Sequence, residues 1–111
     1  MSKFIEVHET IINVDDIRKV EFLGDDIYLG LFPKGQHGEY ICDFIPFDFA
    51  RIHTFDGNVI PLFIHLYIPE DEESEDDWIK RNRAYISMTM TQLNNILKPI
   101  NITGKEYFDF N

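Results

Sequence analysis

A chain of 111 residues, 44% hydrophobic and 14% aromatic, suits a single domain, 1–111, whose core needs no disulfide or metal support. That composition excludes disordered, collagen-like, low-complexity and disulfide-scaffold classes. Twenty Asp and Glu against ten Lys and Arg give a net charge of −10, a poor match to phosphate backbones, so no direct nucleic-acid partner is expected.

Residues 3–8 set Ile5 and Val7 on one face and Phe4, Glu6 and His8 on the other, as a first strand would. Thr10 to Val14 resumes an extended β-branched run, and Asp15-Asp16 breaks it with one helical or tight turn. Val20 to Leu23 and Ile27 to Phe32 read as strands joined across Gly24-Asp25-Asp26. Residues 33–38 read as a loop. Tyr40 to Phe49 is dense in aromatics, and Pro46 makes it an edge strand, a bend or two short pieces.

Asp56-Gly57 is the preferred type I′ dipeptide and predicts a two-residue hairpin pairing Phe55 with Asn58, His53 with Ile60, and Arg51 with Leu62. In the second strand Ile60, Leu62, Ile64, Leu66 and Ile68 form a core face. Val59, Pro61, Phe63, His65 and Tyr67 form an aromatic, half-polar face. Seven acids then fall within eight residues: Glu70, Asp71, Glu72, Glu73, Glu75, Asp76 and Asp77. Read alone, 70–77 is a solvated flexible loop, and the rest of the chain carries only −3.

Trp78 to Arg81 adds at most one helical turn behind those acids, which would favour a helix N-terminus. Ala84 to Met88 reads as a short strand. Thr89-Met90-Thr91-Gln92 fits a capping box with a Met88–Leu93 staple. That predicts a helix of barely three turns with Leu93, Ile96 and Leu97 as its stripe, ending near Lys98-Pro99. The aromatic tail Tyr107 to Phe110 should pack or add an edge strand. The expected fold is α+β: a small, antiparallel, strongly bent sheet of five to seven strands with one C-terminal helix.

Phe4-Ile5-Glu6-Val7, Ile12-Asn13-Val14-Asp15-Asp16-Ile17 and Val20-Glu21-Phe22 resemble the opening of small bacterial and phage β-rich proteins, among them the FlbD-like flagellar family. Tyr85 to Ile100 is similar to their final strand and helix. The resemblance implies a β-rich start and a helical end. Residues 33–83 have no counterpart in the short members, and no functional residue carries over.

No constellation for catalysis stands out. His8, His37, His53 and His65 lack metal-ligand spacing, and the hairpin register expected above puts His53 and His65 on opposite faces, so no metal and no cofactor is expected. Cys42 reads as a small buried hydrophobe, and a single cysteine fits a cytoplasmic protein without disulfides. The run from Gly57 to Glu70 is too short and interrupted to span a membrane. Paired aspartates at 15–16, 25–26 and 76–77 are turn signals before they are acid/base dyads.

The favoured function is therefore a non-catalytic protein-interaction or assembly module. The alternative is an inhibitor or decoy that turns its acidic segment on a basic protein or sequesters a small ligand; a small enzyme ranks third. Self-association, as a homodimer or higher, is expected through Val59, Phe63, His65 and Tyr67, since an exposed apolar face on a soluble chain marks an interface.

Overall fold

The computed structural model describes residues 3–97 and the strand at 102–104. The expected helix end at Lys98-Pro99 and the aromatic tail lie outside the described residues. The protein is α+β, but its strands form two sheets rather than one. β1 (Phe4–Val7) and β2 (Thr10–Asn13) make an antiparallel pair. β3 (Ile17–Phe22), β4 (Phe44–Thr54), β5 (Val59–Tyr67) and β6 (Ile102–Gly104) make a second sheet in the order β5-β4-β3-β6, with β6 parallel to β3. Among the described residues the single α-helix is α1 (Glu75–Leu97).

The alternation in the sequence places the first elements as expected. Val7 and Ile12 turn into the core and Ile5 packs against it. A single 3-10 turn, Val14–Asp16, follows β2, with the Asn13 side chain accepting the Asp15 N–H at 2.9 Å. β3 starts three residues earlier than predicted, because Ile17 already turns inward beside Val20 and Phe22.

Ile27 to Phe32 forms no strand, so no hairpin closes across Gly24-Asp25-Asp26. The segment is tied to α1 instead. The Glu75 carboxylate accepts the Leu29 N–H at 3.0 Å, and Arg83 Nε donates to the Asp25 carbonyl at 3.2 Å. Leu29–Leu31 closes a 3-10 turn, while Ile27 and Phe32 enter the core. Side-chain tethers to a helix thus replace the ladder that β-rich composition suggested.

β4 is longer than expected and central to its sheet. Pro46 is accommodated because, among the described residues, the pairing of β4 with β3 and the Leu23 N–H bond to the Phe49 carbonyl stop short of it, so no strand faces the side on which proline lacks its N–H. Phe49 is the extra residue of a β-bulge between Asp48 and Ala50 and is buried. The turn at Asp56-Gly57 exists, but with three loop residues. Gly57 N–H donates to the Thr54 carbonyl, Thr54 N–H donates to the Asn58 carbonyl, and Gly57 has φ +90. That is a type I turn closed by a left-handed glycine, the usual three-residue hairpin. The observed pairs are therefore His53–Val59, Ile52–Ile60, Arg51–Pro61 and Ala50–Leu62. The register is one residue away from the predicted one, which turns β4 over.

The largest departure is α1. Its 23 residues absorb the predicted strand at 84–88, the last three acids of the segment and the supposed capping box. Thr89 is no N-cap: its hydroxyl donates to the Tyr85 carbonyl inside the helix. The N-cap is Ser74, whose Oγ accepts the Asp77 N–H at 3.1 Å and whose carbonyl accepts the Trp78 N–H. Trp78, Asn82, Ile86, Met90, Leu93 and Leu97 form the buried stripe, while the predicted stripe and staple members Ile96 and Met88 stay exposed. One further bond joins helix to sheet. The fully buried Trp78 indole N–H donates to the Tyr67 carbonyl at 2.8 Å.

Candidate functional site

Strand alternation dictates which side chains of the larger sheet meet α1. Leu62, Ile64 and Leu66 of β5 are buried with Val20, Ile52 and the helix stripe. The opposite face therefore carries Val59, Pro61, Phe63, His65 and Tyr67, as the sequence predicts. Val59 is 50% and Tyr67 55% exposed. His65 is exposed and Phe63 half-buried.

These rings form a ladder. His65 lies 4.8 Å from Phe44, 5.6 Å from Phe63 and 6.4 Å from Tyr67 between ring centroids. Phe44, directly opposite Tyr67 in the β4–β5 register, closes the group at 5.4 Å. Sequence reasoning missed Phe44, because its place opposite Tyr67 depends on the bulge at Phe49. His8 was also missed. It stands in the β1–β2 turn, and its ring stacks on Phe63 at 3.7 Å and 15°. Its Nε2 also accepts the Phe63 N–H at 3.3 Å.

That turn is costly. His8 and Glu9 have φ 48 and 71, the left-handed pair of a type I′ turn, which asparagine and glycine adopt far more easily. Docking His8 on β5 offsets the strain.

The same contact lies at the outer edge of β5, which has no neighbouring strand among the described residues. Pro61 has no N–H to offer, His8 holds the Phe63 N–H, and Trp78 holds the Tyr67 carbonyl. Each device blunts part of an edge that would otherwise template strand addition. Between this edge, α1 and the β1–β2 pair runs a groove with two parts. One, about 360 Å³, reaches from His8 and Val7 past Leu62 to Leu93. The other, about 420 Å³, lies between Tyr67 and Arg81. Ile64 and Tyr85 line both.

The acidic segment is only partly the free loop its charge suggests. Glu73 accepts from Arg81 Nε at 2.8 Å and from Arg81 Nη2 at 2.9 Å, and it also accepts the Glu70 N–H. The hydrogen bond from Arg81 holds the Glu73 carboxyl below its usual range, and the same bond raises Arg81. Glu75, Asp76 and Asp77 form the first turn of α1, where carboxylates suit the helix dipole. Glu70, Asp71 and Glu72 remain exposed.

The histidines do not converge. Through the shifted register His53 shares the face of His65, correcting the expectation of opposite faces. Yet the two are separated by six residues of β5, roughly 20 Å. His53 bonds Glu21 at 3.0 Å, and that bond lowers the Glu21 pKa. Among the described residues no group of three or more His, Cys, Asp or Glu side chains could hold a metal. Cys42 is half-buried rather than fully enclosed. No described helix is long and apolar enough to cross a membrane. The chain matches no family model, no curated protein and no solved structure.

Proposed function

We propose that this chain is a non-catalytic protein-interaction and assembly module that associates with a second copy of itself through the aromatic face of the larger sheet. One observation carries the reading. α1 packs on only one side of that sheet, while Phe44, His65 and Tyr67 stand exposed in mutual contact on the other. A patch of exposed rings on a strongly charged chain favours a specific closed pairing over aggregation, and a two-fold contact lets one ladder pack on its twin. The single half-buried thiol of Cys42 suits a reducing cytoplasm.

A second reading rests on the exposed carboxylates Glu70, Asp71 and Glu72, which would let the protein occupy a basic surface as an inhibitor or decoy.

Sedimentation tests the first reading with the wild type beside Phe44→Ser/Tyr67→Ser. Both side chains are exposed, so the fold should survive the change. A dimer at tens of micromolar that becomes a folded monomer in the double variant is the expected result. A wild type that stays monomeric overturns it.

A further inference from the structure

We propose that the groove between the outer edge of β5 and α1 receives an extended, basic peptide segment of a partner protein. This rests on reading the chain as an interaction module; the groove runs along the helix side of the ring ladder and shares His8, Phe63, His65 and Tyr67 with it at the rim.

The groove has the dimensions of such a ligand. From Leu62 to Tyr67 it runs about 17 Å at strand rise, room for roughly five extended residues. Its floor is apolar, made by Val7, Leu62, Ile64 and Leu93, and Tyr85 and Gln92 stand on the helix side. Two hollows on either side of Ile64 and Tyr85 would accept alternate side chains of one strand. The edge also contributes main-chain groups. The Phe63 N–H is taken by His8, and the direction of that bond shows that His65, two residues on, turns its own N–H and carbonyl to the same outer side.

Charge selects the partner. Glu6 lines one end of the groove, with Glu9 exposed in the adjoining turn. At the other end the lining residue Arg81 has the carboxylates of Glu73 and Glu70 beside it. The lining cation Arg81 is already held by two bonds to Glu73. Both mouths are thus negative around an apolar floor. A lysine- or arginine-bearing segment with small apolar side chains between its charges fits this pattern, and an acidic segment is repelled by it.

Fluorescence anisotropy with two labelled hexapeptides, alternating Lys-Val and alternating Glu-Val, provides the test. The Lys-Val peptide should bind at least tenfold more tightly, and its affinity should fall as salt rises. Gln92→Trp places a bulky ring from an exposed helix position over the groove and should weaken binding tenfold or more. Thr89→Arg, on the same wall, should do the same should the first variant fold poorly. Replacing Glu70, Asp71 and Glu72 by Gln, Asn and Gln should flatten the salt dependence.

Equal affinity for the two peptides, no measurable binding of Lys-Val, or binding indifferent to both wall variants would each overturn the proposal. A wild type that dimerises yet binds neither peptide refutes the groove alone. One that binds Lys-Val but never dimerises refutes the ring-face association alone.

Discussion

At the scale of single residues, the structure turns a uniform run of acids into groups with different tasks. Glu73 is pinned by Arg81, Glu75 secures Leu29, and Glu70 to Glu72 face solvent. Linkage gives the Glu73 contact a sign. Its pKa in the folded chain lies below the ordinary 4.5, so the folded state holds the charged form more strongly than the unfolded one. The resulting stability is fully present above the unfolded value and is lost as pH falls through the folded one. Glu73→Gln should therefore be less stable than wild type near neutral pH, and the gap should close in acid. Urea midpoints measured from pH 7 downward check this, and a gap that widens in acid refutes it. Asp25 is different in kind. It is buried, its Oδ2 has no hydrogen-bond partner among the described residues, and Arg83 Nε lies 3.8 Å from that oxygen. The Arg83 bond to its carbonyl fixes the surrounding loop rather than satisfying that oxygen.

At the scale of elements, α1 shows how a start signal can be hidden. Ser74 caps the helix, yet it sits in a run of like charges whose plain reading is a solvated loop. Thr89-Met90-Thr91-Gln92 has the pattern of a helix start but lies inside the helix, where its neighbours are already hydrogen-bonded. Ser74→Ala should lower stability by about 0.5–2 kcal/mol. Thr89→Ala, which removes no cap, should cost clearly less. Denaturant midpoints of the two variants decide it, and equal losses would count against Ser74 as the cap.

β5 was legible because strict alternation over nine residues leaves one arrangement that buries its aliphatic face. Its partner's register was not, because Asp-Gly serves both a two-residue and a three-residue turn. Only the Thr54–Asn58 bonds distinguish them. The segment from Ile27 to Phe32 misled for a related reason. Its residues favour strands, but strand propensity measures fit to a half-buried surface, and its cover is a helix. Of the candidate site, the β5 face could be read from the sequence. Phe44 and His8 could not, since a bulge and a contact between distant segments bring them there.

At the scale of the whole molecule, the two sheets and the helix share one core, with Val7 and Ile12 of the smaller sheet joining the cluster under the larger. The joint between helix and sheet is marked by Trp78, the chain's single tryptophan, buried and bonded to the last residue of β5. That makes the indole a built-in optical observer of this one seam. Its emission should be blue-shifted in the native protein and move red only when the helix leaves the sheet, since the bond and the enclosure are lost together. If the domain melts as one cooperative unit, the emission and the far-ultraviolet helix signal should report the same urea midpoint. An emission change that runs ahead of the helix signal would reveal a form in which α1 remains wound but unseated.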